Sequence, residues 1–237
     1  MRWVLVDERI SDGAERSLMR EGFYAIRLPA ASTLPEAIRS HPDTLIFRLG
    51  NEFLTTCDYG EEAAFVFSDI REYSENSVLY FSSEEFGNKF PSDAIFNAFT
   101  IGDLIFANKK NVSPKVLEIA EKHGLTLVNV NQSYPNCSIL KIDEQSAVTS
   151  DRGLYKALCE NGIDTLLIEE GHISLPPYEY GFIGGASGVY GDKVMFFGNI
   201  DLHPNGEKIR KFIQEKGKRC ISLSDAPLRD LGGMIFI

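Results

Sequence analysis

The 237-residue sequence predicts an α/β fold in which five similar units close into a ring, an α/β propeller with pseudo-fivefold symmetry. Three observations carry this prediction. A helix, a glycine and an apolar strand follow one another four times, and a hairpin of two strands precedes three of these helices. The chain also begins with an incomplete unit and ends with a lone strand. Each unit is therefore expected to run strand, strand, helix, strand.

The glycine after each helix has a physical reason, because helices commonly end with a left-handed residue that glycine adopts without strain. The four copies are Glu21-Gly22 before 23–28, His123-Gly124 before 125–130, Asn161-Gly162 before 163–168 and Lys216-Gly217 before 218–223. Ser113-Pro114 is typical of a helix start, with a capping serine followed by proline in the first turn.

The hairpins are indicated by tight turns between apolar runs. They are 95–100 and 104–107 around Gly102-Asp103, 137–141 and 146–149 around Asp143-Glu144, and 180–189 and 193–197 around Gly191-Asp192. A weaker copy has strands 45–49 and 53–56 around Gly50-Asn51, a helix near 61–73 and a strand at 78–81. This copy lacks the glycine after its helix.

The two ends of the sequence are expected to form one unit. The start supplies a strand (3–6), a helix (14–21) and a strand (24–28), and the end supplies the missing strand (231–237). We expect a single domain, 1–237, whose units cover 229–237 plus 1–30, 43–82, 93–130, 136–169 and 180–225. An open doubly wound sheet is the alternative, but it has no place for the extra hairpin in each unit.

The composition is that of a globular protein, with 43% hydrophobic and 24% charged residues. A net charge of −10 argues against nucleic-acid and anionic-membrane partners, which select clustered lysine and arginine. The four cysteines lie far apart without a CxxC motif, so neither zinc, another cofactor nor structural disulfides are expected. With no signal peptide or long apolar segment, the sequence predicts a cytoplasmic protein whose oligomeric state stays open.

Several motifs resemble an uncharacterised bacterial branch of the pentein, or guanidine-modifying-enzyme, superfamily. They are Pro135-Asn136-Cys137-Ser138, Thr149-Ser150-Asp151-Arg152-Gly153, the glycine-rich stretch 180–188 and His203-Pro204. The resemblance implies a five-bladed α/β propeller whose units place their first strands around a central channel. Enzymes of this superfamily bind guanidinium compounds there and use a cysteine after a Gly-Gly pair, a histidine and carboxylates. In this sequence Gly232-Gly233 is followed by Met-Ile-Phe-Ile, and the usual His-x-Asp motif is not evident. The usual mechanism therefore does not transfer.

Three residues are candidates for catalysis, each with a structural alternative. Cys137 is expected to begin the first strand of the fourth unit, either as a displaced nucleophile or as a small packed residue. His203 is a candidate general base or an organiser of the helix entry. His172 enters a proline-rich loop that forms a lid or only connects two units. The other histidines, His41 and His123, are expected to face solvent.

A second set of residues is expected near the channel and would suit a small polar ligand. Gly184 and Gly185 either let a ligand rest on the backbone or let two backbones pack closely, and Ser187 would donate to such a ligand. The other polar candidates are Arg48, Asn97, Ser138, Asp151, Arg229 and Asp230. These side chains would otherwise pair with one another, and Asp151 would cap its helix.

Three functions remain open from the sequence. The first is binding of a small polar or guanidino compound in the channel, without the usual catalysis. The second is a divergent hydrolase, deiminase or amidinotransferase that uses Cys137 with His203 or His172. The third is a non-enzymatic scaffold for protein interactions, with no nucleic-acid or membrane partner.

Overall fold

The computed structural model describes residues 2–237, which form strands and helices in regular alternation. In chain order the elements are β1 (Arg2–Asp7), α1 (Asp12–Arg20), β2 (Phe23–Leu28), α2 (Pro42–Leu45), β3 (Phe47–Leu49), β4 (Glu52–Thr56), α3 (Cys57–Glu62), α4 (Ala64–Tyr73), β5 (Val78–Ser82), β6 (Phe99–Ile101), β7 (Leu104–Ala107), α5 (Pro114–Lys122), β8 (Thr126–Asn129), α6 (Pro135–Ser138), β9 (Ile139–Asp143), β10 (Ser146–Thr149), α7 (Arg152–Glu160), β11 (Asp164–Leu167), β12 (Ser187–Tyr190), β13 (Lys193–Phe196), α8 (Gly206–Glu215), β14 (Arg219–Ser222) and β15 (Ile235–Phe236).

The strands form five separate three-stranded sheets rather than one open sheet. Their orders are β15-β1-β2, β3-β4-β5, β6-β7-β8, β9-β10-β11 and β12-β13-β14. In every sheet the middle strand pairs antiparallel with the first strand and parallel with the third. One or two helices connect the middle strand to the third, as parallel pairing requires. The predicted order of strand, strand, helix and strand is present in all five.

The last strand completes the first sheet. β15 pairs antiparallel with β1, with Val4 opposite Phe236 and Leu5 opposite Ile235. Two further backbone hydrogen bonds join Trp3 and Ile237, at 3.2 and 2.8 Å. The two ends of the sequence therefore share one sheet, as the missing first strand predicted.

The local signals at helix ends are confirmed. The four glycines that follow α1, α5, α7 and α8 all have positive φ, between 72° and 91°. Ser113 accepts a hydrogen bond from the Lys115 N–H at the start of α5, and Asp151 caps α7 through the Leu154 N–H at 2.8 Å. The helix boundaries therefore follow from local chemistry.

All five predicted first strands begin later than expected: β3 at 47 instead of 45, β6 at 99 instead of 95 and β15 at 235 instead of 231. The other two are those of the fourth and fifth units. Pro135 starts the short helix α6, which contains Cys137, so β9 begins at Ile139. Residues 180–186 run as irregular backbone, so β12 begins only at Ser187. In both units the residues that were expected to begin the strand instead form a turn at the end of the sheet. Both turns belong to the site described below.

Each connecting helix packs an apolar stripe against its sheet. The buried pairs at i and i+4 are Ala14 and Leu18 on α1, Leu154 and Leu158 on α7, and Ile209 and Ile213 on α8. Burying one such leucine or isoleucine contributes about 1.5–3 kcal/mol. The core therefore lies between helices and sheets and leaves the ends of the first strands free to carry polar groups.

Among residues 2–237, no helix has both the length and the apolar character needed to cross a bilayer.

Candidate functional site

The site is built from the five segments that precede the first strand of each sheet. These segments are 41–46, 93–98, 135–138, 181–186 and 230–234. Backbone bonds join four of them: the Asp43 N–H donates to the Gly232 carbonyl at 3.1 Å, the Gly185 N–H to the Cys137 carbonyl at 2.9 Å, and the Leu231 N–H to the Gly185 carbonyl at 3.0 Å. The segment 93–98 is joined through the Asn97 side chain. Residues far apart in the sequence therefore meet at one place.

A thiol, a carboxyl and an amide form the centre of the site. The Cys137 Sγ lies 2.6 Å from the Asp43 Oδ2, and the Asn97 Nδ2 donates to the same sulfur at 3.3 Å. The Asn97 Oδ1 accepts from the Asn136 N–H at 2.8 Å, which fixes the amide orientation. Short helices that start with proline, α2 and α6, present the carboxyl and the thiol.

Burial controls the protonation of this centre. Desolvation raises the pKa of Cys137, and the nearby carboxyl groups of Asp43 and Asp230 raise it further. Desolvation also raises the pKa of Asp43, and the charge of Asp230 adds to that shift. The resting sulfur is therefore a thiol, not the thiolate that a nucleophile needs.

His41 lies beside this centre between two carboxylates. Its Nδ1 is 3.8 Å from the Asp230 Oδ1, and its Nε2 is 3.7 Å from the Asp7 Oδ2. The expectation that His41 faces solvent is wrong, since its side chain is only 1% exposed. The cause is close packing: a β-carbon on Gly232 would lie 2.3 Å from the His41 Cβ. Burial lowers the pKa of His41, so the imidazole is neutral near pH 7.

The glycine-rich segment packs against the cluster formed by His41, Asp43, Asn97, Cys137 and Asp230. A β-carbon on Gly184 would lie 2.4–2.6 Å from three backbone carbonyl oxygens around Cys137. A β-carbon on Gly185 would lie 2.0 Å from the Asp230 Oδ1. Asp230 itself accepts from the Phe182 N–H at 2.9 Å and the Gly232 N–H at 3.0 Å. These glycines therefore permit close approach of backbone to the site.

Two cavities of similar size meet the cluster from different sides. One, which we call the aromatic cavity, has a volume of about 600 Å³ and contacts His41 and Cys137. Its walls carry five aromatic and three acidic side chains: Phe90, Tyr134, Tyr178, Tyr180, Phe182, Asp93, Glu179 and Asp230. The other, the polar cavity, has a volume of about 610 Å³ and contacts Asp43, β9 and residues 232–235. The cluster therefore lies between the two cavities.

Asp93 stands out among the residues of the aromatic cavity. Its side chain is buried, with 2% exposure, and its Oδ1 has no hydrogen-bond partner among residues 2–237. Burial raises the pKa of Asp93, and the neighbouring Tyr134 hydroxyl offsets part of that rise. Buried carboxylate oxygens are normally hydrogen-bonded, so this one marks a position where a ligand can donate.

Of the residues proposed from the sequence, the structure brings together Cys137, Asn97 and Asp230. His203 and His172 lie elsewhere, with ring centroids 5.5 Å apart, and neither is among the described residues that line the two cavities. The His203 Nδ1 accepts from the Asn205 N–H at 3.0 Å. This contact agrees with the alternative role of His203, in which it organises the start of its helix.

The remaining candidates make structural contacts. The Arg48 guanidinium donates to the Gly50 and Phe236 carbonyls. Arg229 is exposed, and Ser138 is buried with its carbonyl accepting from Thr149. Besides capping α7, the Asp151 carboxylate accepts from Gln132. The Ser187 hydroxyl donates to the Ile183 carbonyl at 2.7 Å, and Gly184 also borders the polar cavity.

Sequence reasoning missed His41, Asp43 and Asp93. The available signal was the proline at 42, which starts a short helix before β3 as Pro135 does before β9. That repetition places Asp43 and Cys137 in equivalent short helices of two units. It does not reveal that their side chains meet.

Comparison with solved structures identifies the class of fold. A dimethylarginine dimethylaminohydrolase from Pseudomonas aeruginosa, complexed with citrulline, is similar at 10% identity with a TM-score of 0.56, over 94% of this chain and 92% of that one. An amidinotransferase from Microseira wollei is similar at 15% identity and 0.54, over 94% and 88%. An agmatine deiminase from C. jejuni is similar at 8% identity and 0.56, over 94% and 87%. The chain has the pentein fold, which confirms the resemblance inferred from its motifs.

The family follows from the sequence itself. The model of the family of unknown function DUF6873 matches residues 5–235, and the chain belongs to that family. No curated protein matches the sequence.

Proposed function

We propose that this protein binds a small guanidino compound in the aromatic cavity. The observation that carries the proposal is Asp93, a buried carboxyl with an unpartnered oxygen in a wall that also carries five aromatic rings. A guanidinium is a flat cation with N–H donors at its edge, and carboxylates accept two such bonds side by side. Aromatic faces attract the same cation.

Charge and size support this ligand class. Among the described residues that line the cavity, three are acidic, Asp93, Glu179 and Asp230, and one is a lysine, Lys89. A volume of about 600 Å³ lies within the usual range for small-molecule sites. One neighbour of the same fold is complexed with citrulline, an amino acid about as large as arginine. We therefore assign the aromatic cavity, rather than the polar cavity, as the ligand site.

The proposal includes an arrangement of the whole chain. We take residues 1–237 as a single domain in which the five sheets stand around a pseudo-fivefold axis as a closed propeller. The contacts among the five segments before the first strands support this arrangement, as does the pairing of β15 with β1. The two cavities are then the ends of one central channel. An experimental structure with the five sheets in an open row would overturn it.

The test is calorimetry and thermal unfolding with arginine, agmatine and methylated arginines, with lysine as the matched amine. We expect the guanidino compounds to bind and lysine to fail. Asp93→Asn should weaken binding by about 10–100-fold, because a hydrogen bond to a charged group contributes about 1.5–3 kcal/mol. Asp225→Asn, which makes the same change on an exposed loop, should not. Equal binding of lysine, or full affinity in Asp93→Asn, would contradict the proposal.

A second candidate function is hydrolysis of the bound guanidino group by Cys137. The observation that favours it is the position of Cys137, which lines the aromatic cavity and whose Sγ lies beside His41 and Asp43. In that reaction a sulfur–carbon bond forms, a carbon–nitrogen bond breaks, and the nitrogen leaves with the thiol proton. Water then displaces the sulfur, which restores the thiol and leaves a ureido product.

This reaction needs the thiolate, and a bound cation favours it by offsetting the neighbouring negative charge. The test is colorimetric detection of a ureido product from the compounds that bind. Cys137→Ser should abolish the product and Cys220→Ser should not. Binding without any product would leave the first function alone, and the absence of both would leave the role as an interaction scaffold.

A further inference from the structure

The structure assigns a further site: we propose that His41, Asp43 and Cys137 bind a divalent metal ion with the ligand preference of Zn²⁺. Each residue offers one ligand atom, and the three atoms all lie within 4.8 Å of one another. Imidazole nitrogen, carboxylate oxygen and thiolate sulfur are the three protein ligand types of zinc. This inference goes beyond the guanidino proposal, because Asp93 is outside the metal-binding group.

An independent observation points to a ligand at the same place. Both ring nitrogens of His41 lack a hydrogen-bond partner among residues 2–237, although the side chain is almost completely buried. Buried polar atoms without a partner are rare in native proteins, and each costs free energy. A metal ion bound to one of these nitrogens would supply the missing interaction.

The charges of the group match a divalent cation. A thiolate from Cys137 and a carboxylate from Asp43 together carry two negative charges, and the ion replaces the thiol proton when it binds. Whichever ring nitrogen of His41 binds the metal, the other stays within 3.8 Å of a carboxylate, from Asp7 or Asp230. Zinc-binding histidines commonly donate their other ring N–H to a carboxylate, and a small shift of the ring would bring one of these two within hydrogen-bond distance.

The position of the group leaves room for an additional ligand. Three protein ligands and an open fourth position are typical of catalytic rather than structural zinc sites. Here Asp43 borders the polar cavity and His41 and Cys137 border the aromatic cavity, so a ligand in either cavity lies next to the group. A metal bound there would occupy the Cys137 sulfur and place positive charge near the guanidino site. Zn²⁺ should therefore weaken binding of a guanidino cation.

The test uses the full chain with Cys57, Cys159 and Cys220 changed to serine. Two of these three thiols are exposed and the third is partly exposed, so they would otherwise bind metal at the surface. After treatment with a chelator, this protein is titrated with Zn²⁺ against a chromophoric chelator at pH 7, and with Co²⁺ in an absorption spectrometer. We expect one equivalent of either ion and a sulfur-to-cobalt charge-transfer band.

Single changes in the same background identify the ligands. Cys137→Ser, Asp43→Asn and His41→Gln should each weaken Zn²⁺ binding by more than about 100-fold, because even changes behind the ligands cost 10–100-fold. His203→Gln, a buried histidine outside the group, should leave the affinity unchanged. Thermal unfolding shows which variants are folded. If Asp43→Asn or His41→Gln does not fold, loss of the charge-transfer band in Cys137→Ser still decides the question.

Two results would overturn the inference. One is failure of the background protein to bind a stoichiometric ion. The other is retention of the cobalt band or of tight Zn²⁺ binding in Cys137→Ser. Asp93→Asn separates this inference from the proposed function, since it should lose the guanidino compound and keep the metal. A protein that binds Zn²⁺ but no guanidino compound would refute only the proposed function.

Discussion

Replacing Asn97 with alanine tests whether the site is held together as the structure indicates. The side chain is 1% exposed and connects three segments. Its Oδ1 accepts from the Asn136 N–H at 2.8 Å, and its Nδ2 donates to the Asp43 carbonyl and the Cys137 Sγ, both at 3.3 Å. The Oδ1 also accepts from the Cys137 N–H at 3.4 Å, so alanine would leave three backbone groups and the sulfur without these partners.

The size of the effect follows from those bonds. A buried group that loses its partner costs about 1–3 kcal/mol. The short bond from Asn136 should count fully and the three longer ones less, so we expect a total loss of about 3 kcal/mol. For a chain of this length, 1 kcal/mol shifts the Tm by about 2–4 °C, which predicts a fall of about 6–12 °C.

Two assays read the result. Urea unfolding gives the loss of stability, with Asn161→Ala as the matched control because its amide caps an exposed helix end through the Ala157 carbonyl. That control should change stability by less than about 1 kcal/mol. The rate at which Cys137 is alkylated, in the background lacking the other three cysteines, measures the reactivity of the thiol. The Asn97 N–H lowers the pKa of Cys137, so its loss should slow alkylation. Equal stability of the two variants, with unchanged alkylation, would refute this account of the site.

Three further outcomes are expected. Gly184→Ala should destabilise the protein by about 1–3 kcal/mol through overpacking against backbone, whereas Gly13→Ala, whose β-carbon meets nothing closer than 3.9 Å, should not; urea unfolding compares them. Burial raises the pKa of Asp93 above its ordinary 3.8, so the free protein keeps this carboxyl protonated over part of the range above pH 3.8. Affinity for a guanidino cation should therefore rise with pH through that window and level off once the carboxyl is ionised; calorimetry on Asp93→Asn should show no such rise. Phe236→Ala should cost about 3–5 kcal/mol, because this ring is buried on the strand that completes the first sheet. Phe65→Ala, at a ring 55% exposed, should cost far less, and a larger effect there would contradict the assigned burial.

The order of elements was predictable because its signals are local. A glycine with positive φ ends α5 wherever the rest of the chain goes, and the turn at Gly102 fixes the hairpin of β6 and β7 in the same way. The completion of the first sheet by β15 was predictable as well, because one strand was missing at the start and one was left over at the end.

The site was less predictable because it depends on contacts between units. His41-Pro42 and His203-Pro204 are the same dipeptide, yet the first histidine lies between Asp7 and Asp230 and the second bonds to the start of its own helix. The difference comes from what the other units present to each histidine, and a local pattern does not contain that information. Cys137 was identified as a candidate, but its partner Asp43 lies on another unit and carried no signal of its own.

The pairing of β1 with β15 also bears on how the protein folds. Leu5 and Ile235 are neighbours in this sheet although nearly the whole chain separates them. A contact of such long range has a high entropic cost of closure and forms slowly. During synthesis, β1 keeps an unpaired edge until β15 has left the ribosome, and Asp230 is absent from the side of His41 until it too has been made. The surroundings of His41 should therefore form late in folding, and binding at the proposed sites should report that β15 has joined the first sheet.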